Sequence, residues 1–295
     1  MSQPVFLHYD QKALDDAYDQ SVYAPNRDQV LARRERNSEL ARRRLGEAQR
    51  FAYGESANER LDVYRTLAPQ APVNVFIHGG AWRAGRARDY AAAAEMFVDA
   101  GAHYVVLDFD DIDAAAGNLF VMAQQVRRAV AWVHKNAARF GGNPERLYVS
   151  GSSSGAHLGG VVAMTDWHKD YELPRDTVKG YTLCSGMYDL RGPRLSKRSA
   201  YVQFTDEMEA ELSPQRHLER IGAPLTLLYG SQESPEFKRQ SEEFAAALKA
   251  AGKAVELILA QGYNHFELQE TLASPYGTMG RAVLEQMGLR PGESP

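Results

Sequence analysis

Residues 151–155 read Gly-Ser-Ser-Ser-Gly, placed between the apolar run Leu147-Tyr148-Val149 and the small, apolar stretch Ala156 to Ala163. A serine centred in G-x-S-x-G at a strand-to-helix turn can stand with its Oγ exposed and attack a carbonyl carbon. The next backbone N–H then points at the oxygen that becomes negative. In this register Ser153 is the nucleophile and Ser154 an oxyanion donor. As a plain loop, the same stretch would use Ser152 or Ser154 to cap the following helix, so the serine acquires chemical meaning only from partners elsewhere. One partner is the stretch Phe76-Ile77-His78-Gly79-Gly80-Ala81-Trp82, where two glycines end an apolar run and can bring the Gly79 and Gly80 amides to a developing oxyanion.

A serine nucleophile also needs a base and an acid that orients it. Where this chemistry sits on a parallel sheet, the chain order is serine, acid, histidine, with the last two on loops after the final strands. Of eight histidines, His265 alone follows the last apolar run, Val255 to Ala260. After Leu225 to Gly230 the loop offers Glu233 and Glu236; Glu233 is nearer the strand end, whereas Glu236 follows Pro235, where a first-turn helix carboxylate is expected. Glu233 is therefore the preferred acid. His157, one helical turn after Ser153, is expected to support the elbow, and His78 to brace the glycine loop. No two histidines have H-x-x-x-H spacing, Cys184 is the only cysteine, and the Gly/Ser stretch lacks a Walker lysine. These absences argue against a metal, a disulfide and a phosphate loop, and the expected chemistry is cofactor-free.

The elements that must position these residues are visible as apolar runs at 73–78, 104–109, 146–151, 178–185, 224–230 and 255–260, alternating with helix-period segments. Short uninterrupted apolar runs fit strands buried on both faces. Between the second and third, Leu119, Met122, Val126, Val130 and Val133 recur at spacings of three and four, and the pattern stops before Gly141-Gly142-Asn143-Pro144. The repeating order predicts a three-layer α/β fold: a mostly parallel twisted sheet, helices on both faces, and a leading hairpin from residues 50–55 and 60–65. In such sheets ligands sit at the carboxyl ends of the strands. Residues 186–222, too long for an ordinary loop, are expected to form a small helical cap, and 1–50 a helical extension of a single domain spanning 1–295. Within 27–50, eight arginines face four acids, read as an exposed helix with internal ion pairs.

A net charge of −4 and a pI of about 6.1 favour neither nucleic acid nor an anionic membrane surface. No apolar run approaches the ~20 residues of a membrane span, and residues 1–11 lack the basic start and apolar core of a secretory signal. The expectation is a cytoplasmic protein acting on a small molecule, with a homodimer as the expected assembly if it associates. Trp82, Tyr188 and Phe266, with Tyr201 and Phe204, are the expected aromatic pocket walls.

Taken together, the His78 to Trp82 stretch, the elbow followed by Ala156-His157-Leu158, Thr165-Asp166-Trp167, Cys184 to Leu190, Ser234 to Ser241 and Asn264 to Leu268 resemble the arylformamidase (kynurenine formamidase) branch of the esterase/lipase α/β-hydrolases. The resemblance runs from about residue 14 to about residue 272. It implies an α/β-hydrolase fold, a Ser153, Glu233, His265 triad, and an oxyanion hole from Gly79, Gly80 and Ser154. Two departures stand out: Ser152 replaces the histidine usual before the nucleophile, and the acid is Glu rather than Asp. Asp108, Asp110, Asp111 and Asp113 also follow the second strand, where an acidic cluster would disfavour an anionic substrate. The implied reaction is cleavage of an aryl formamide or small acyl amide; the alternatives are hydrolysis of aromatic or short-acyl esters and a non-catalytic binding protein on the same scaffold.

Overall fold

The computed structural model describes residues 3–290. Eight strands form one sheet in the order β1-β2-β4-β3-β5-β6-β7-β8. They are β1 Gln49–Ala52, β2 Arg60–Tyr64, β3 Ala71–Ile77, β4 His103–Leu107, β5 Gly142–Ser152, β6 Tyr181–Cys184, β7 Leu225–Gly230 and β8 Val255–Ala260. The hairpin β1–β2 pairs antiparallel, β2 pairs antiparallel with β4, and all other pairings are parallel. β3, β4, β6 and β7 are buried along their whole length, which is why they read as unbroken apolar runs rather than alternating ones. Each strand run anticipated from the sequence overlaps an observed strand, although β3, β4 and β5 begin one to four residues earlier than their runs.

Helices cover both faces. One apolar layer combines α4 Leu119–Asn136, α5 Ser154–Ala163 and α9 Pro235–Ala250 with the sheet; the other combines α3 Ala94–Asp99, α10 His265–Glu270 and α11 Thr278–Gln286. The α4 stripe Leu119, Met122, Val126, Val130 and Val133 is fully buried. Asn118 caps its start by accepting from the Phe120 N–H (2.9 Å), and Gly141, at φ +87°, ends the short 3₁₀ turn that follows. Among the described residues no helix is long and apolar enough to cross a membrane.

Two segments lie outside this layering. The first 45 residues contain α1 Gln11–Ala17 and α2 Arg27–Leu45. The arginines of α2 pair partly within the helix, as the sequence suggested, with Arg27 on Asp28, and partly outside it. Arg43 also pairs with Glu39, but Arg33 bonds Glu270 and Arg44 bonds Glu95, so the charges tie α2 onto the body of the molecule. Residues 186–222 hold α7 Arg191–Leu195, α8 Asp206–Glu211 and several 3₁₀ turns, after a short α6, Trp167–Tyr171. Glu209 gathers Arg194 and Arg216 at 3.1 and 2.8 Å and holds this segment together.

From β3 the chain turns one way to β4, then crosses by α4 to β5 on the other side of β3. That reversal opens a crevice at the carboxyl ends of β3 and β5, where the Gly79-Gly80 loop and Ser153 emerge. α5 must press against β3 there: a Cβ at Gly155 would lie 2.1 Å from the Ile77 carbonyl oxygen and 2.5 Å from that of His78. Gly155→Ala is expected to cost about 3 kcal/mol or more, because backbone on both sides leaves no room to relax. Gly252→Ala, at φ +70° with open space around it, should cost about 1 kcal/mol from backbone strain alone. Urea midpoints of the two variants check this; equal losses would contradict the close approach.

Candidate active site

Ser153 holds φ 58° and ψ −125°, a region that a side-chain-bearing residue rarely occupies, at a cost of order 1–3 kcal/mol. Its N–H donates to the Cys184 carbonyl (2.8 Å) and its own carbonyl accepts from Ala156 and His157 N–H, so β6 on one side and α5 on the other hold the turn. The Oγ is thereby presented to the His265 Nε2 at 2.9 Å. His265 is the first residue of α10, whose capping residue Asn264 accepts from Phe266 and Glu267 N–H while Glu267 returns a bond to the Asn264 N–H. Phe237 and Phe266 meet the imidazole edge to face at 5.0 and 5.4 Å and fix its plane.

The His265 Nδ1 lies 3.2 Å from Glu233 Oε2. Glu233 is 2% exposed, and its other oxygen accepts from the Ser185 hydroxyl (2.5 Å) and the Gly230 N–H (2.9 Å). A buried carboxylate needs donors for its lone pairs, and these supply them. Ser185 itself is fully buried at φ +57°. The sequence reading missed it: Ser185 and Glu233 are 48 positions apart and only the parallel register of β6 and β7 brings them together. Glu236, the rival acid, is turned away, accepting from the Tyr18 hydroxyl (2.8 Å) and paired with Arg239 (2.7 Å).

The Gly79-Gly80 loop lies against the serine. A Cβ on Gly79 would meet the Ser152 carbonyl oxygen at 2.8 Å and the Ser153 Cβ at 3.0 Å, and Gly80 adopts φ +121°. Ala81 and Trp82 follow at φ +56° and +63°, so the strain of the elbow continues through this loop. Two bonds restrain it: Trp82 N–H donates to Ser154 Oγ (3.1 Å), and the Trp82 carbonyl accepts from Ile112 N–H (2.7 Å). Ser154 begins α5, where a first-turn N–H has no acceptor in its own helix. The arrangement can therefore deliver a nucleophilic oxygen, a proton acceptor and backbone donors to one point.

That point opens into a cavity of about 660 Å³ lined by Ser153, His265, Gly80, Tyr90, Tyr201 and Phe266, with residues of α2 and of the 3₁₀ turn at 197–200, a size suited to a small molecule. Trp82 and Tyr188, expected as walls, are not on it, and neither is Phe204. Trp82 is buried, its indole N–H donating to His157 Nδ1 at 3.3 Å, and Tyr188 stacks on Phe244 at 4.3 Å inside the core. Both have been drawn into packing by apolar neighbours. The expected acidic rim is also absent from the cavity. Asp108 is bound by Arg50 and accepts from Ala87 N–H, and Asp110 is held by Asn58 and Gln125. An arginine from β1 thus neutralises Asp108, and two side-chain amides hold Asp110. The cavity wall instead carries Arg27, Arg34, Arg83, Lys197 and Arg198 against Asp19.

His157 accepts from Trp82 at Nδ1, so its Nε2–H donates to the Leu212 carbonyl (2.8 Å) and it serves as a neutral connector beneath the elbow. Burial lowers its pKa to about 4, and burial also lowers His78 and His103. An unfolded chain takes up these protons below pH ~6.5 while the folded one does not. Stability is thus complete above pH ~6.5 and declines as pH falls toward 4, by about 3 kcal/mol for His157 alone. His157→Gln, which cannot titrate, should flatten this decline in a melting series from pH 7 to 4.5, even if its stability at pH 7 is lower. An unchanged slope would show that His157 does not carry the effect.

Comparison with known proteins agrees with this architecture. A family model described as BD-FAE matches residues 61–185. The chain is 31% identical over 243 residues to kynurenine formamidase of Danio rerio, covering 80% of both chains. It is 28% identical over 273 residues to the esterase LipQ of Mycobacterium tuberculosis, covering 84% of this chain and 63% of that one. Among solved structures, a putative thioesterase from Silicibacter sp. superposes with a TM-score of 0.77 at 22% identity, over 90% of this chain and 96% of that one. The propionate-bound esterase Est2 of Thermogutta terrifontis gives 0.68 at 20% identity, over 85% and 98%.

Proposed function

The chain belongs to the kynurenine formamidase branch of the α/β-hydrolase esterase family, and from that premise we propose that it is a serine hydrolase that cleaves an aryl formamide of the N-formylkynurenine type. The observation that carries the reading is the unbroken hydrogen-bonded series from Ser153 through His265 to Glu233, opening on a cavity of small-molecule size.

In this reaction Ser153 Oγ attacks the formyl carbon as His265 Nε2 takes its proton. The carbonyl oxygen becomes negative and is met by the amides of Gly79, Gly80 and Ser154. Glu233 keeps the His265 Nδ1–H in place and stabilises the imidazolium. Collapse of the tetrahedral species passes that proton to the leaving aryl nitrogen, breaks the C–N bond and leaves a formyl ester on Ser153. Water, deprotonated by His265, then releases formate and restores the serine. The same parts would hydrolyse aryl or short-acyl esters, a second reading favoured by the similarity to the esterase LipQ.

Ser153→Ala is expected to lower turnover by about 10⁴-fold or more, whereas Ser152→Ala should retain most of it. Parallel rates on N-formylkynurenine and on an aryl acetate decide between the two readings: a higher kcat/KM for the formamide supports the first, and activity on the ester alone replaces it with the second. Glu233→Gln should cut turnover by up to ~10⁴ while Glu236→Gln acts mainly on stability. Activity surviving in Glu233→Gln but lost in a folded Glu236→Gln would reassign the acid.

A further inference from the structure

Of the basic side chains on the cavity wall, three have carboxylates of their own. Lys197 bonds Asp19, Arg27 lies 2.9 Å from Asp28, and Arg83 stands 3.9 Å from Asp113 while stacking 4.8 Å over the Tyr201 ring. Arg34 lies 4.6 Å over Tyr90 at the half-exposed side of the cavity. Arg198 differs from all of these. It is 5% exposed and makes no ion pair among the described residues. Nη1 donates to the Tyr201 hydroxyl and Nη2 to the Tyr18 carbonyl, each at 3.0 Å; the guanidinium rests 5.3 Å from the Trp82 ring centre, and its buried Nε–H has no acceptor among the described residues.

A buried cation with neutral partners only and idle donors is expensive to keep. Packing alone would be served as well by a methionine or glutamine. The cost is offset when an anion enters the cavity that Arg198 and Ser153 share. Nη1 and Nη2 each commit one hydrogen and keep another, and a planar guanidinium with spare donors matches a carboxylate in particular. We propose that Arg198 is a specificity-determining residue that binds a carboxylate borne by the substrate away from its scissile carbonyl, so that this enzyme selects anionic acyl amides or esters over neutral ones. The inference rests on Ser153 being the reaction centre, as proposed above, and holds for either the formamide or the ester reading. N-formylkynurenine has a carboxylate of this kind, on its amino-acid end.

The test uses two matched pairs: N-formylkynurenine with its carboxamide, and 3-acetoxybenzoate with 3-acetoxybenzamide. Wild-type enzyme is expected to favour the anionic member of the pair it turns over by about 10- to 100-fold in kcat/KM, a ratio typical of one charge-assisted bond. Arg198→Gln should erase that preference, chiefly through KM, since the carboxylate is held alike in ground and transition states, with the neutral member changed less than about threefold. Arg198→Lys should restore part of it. Equal losses on both members, or a wild-type enzyme indifferent to charge, would overturn the proposal and leave the hydrolase reading intact. Turnover of the esters but not the formamides would instead overturn the formamide reading, and the ester pair would then decide the role of Arg198. If neither pair is cleaved, calorimetry on Ser153→Ala protein decides: tighter binding of N-formylkynurenine than of its carboxamide, lost in the Arg198→Gln double variant, supports the proposal, and equal affinities end it.

Discussion

The backbone of Ser153, bent to φ 58° where β5 runs into α5, is the constraint on which the surrounding structure depends. A serine does not hold that conformation by itself. It is held because its N–H is engaged by β6, its carbonyl by the first turn of α5, and because α5 is pressed onto β3 through the absent side chain of Gly155. The strain extends into the facing loop, where Gly80, Ala81 and Trp82 take positive φ in succession, and the Trp82 to Ser154 bond joins the two strained turns. The two strained turns are thus one mechanical unit. His157 underpins it, with Trp82 on one ring nitrogen and Leu212 on the other.

Electrostatics around this unit divide between satisfied and unsatisfied charge. Glu233 is buried yet its oxygens are met by Ser185, Gly230 and His265, so the fold itself fixes the position of its carboxyl group. Asp108 and Asp110 are likewise occupied by neighbours. Arg198 is the exception, a buried positive charge with neutral partners, and the cavity is biased toward an anion as a result.

The cavity is made by parts that the sheet alone does not supply. Tyr18 and Gln20, the α2 residues Leu31 and Arg34, and the turn holding Arg198 form its outer wall. The arginine-rich helix has a place in this because its charges pair with Glu270 and Glu95 on the body of the protein, which sets α2 beside α10 and hence beside His265. These segments, together with the loop after β3 and the start of α10, therefore shape what reaches Ser153.

Local pattern was enough to determine much of this protein. Apolar runs became strands because a strand buried on both faces admits little else, the α4 stripe became a buried helix face because its spacing is helical, and G-x-S-x-G and the glycine pair stood out because a sharp turn and a close backbone approach demand small residues at fixed offsets. Chain order narrowed the acid and the base to Glu233 and His265, which the folded chain brings into one hydrogen-bonded series with Ser153. Only the tertiary structure decided which neighbours complete each charge. It drew Trp82 and Tyr188 into packing, moved the aspartates after β4 out of the cavity, gave Ser185 to Glu233, and left Arg198 without a counter-ion among the described residues. Such pairings join residues tens to hundreds of positions apart, and a polar side chain's role depends on distance and burial in three dimensions, quantities that spacing along a chain does not encode.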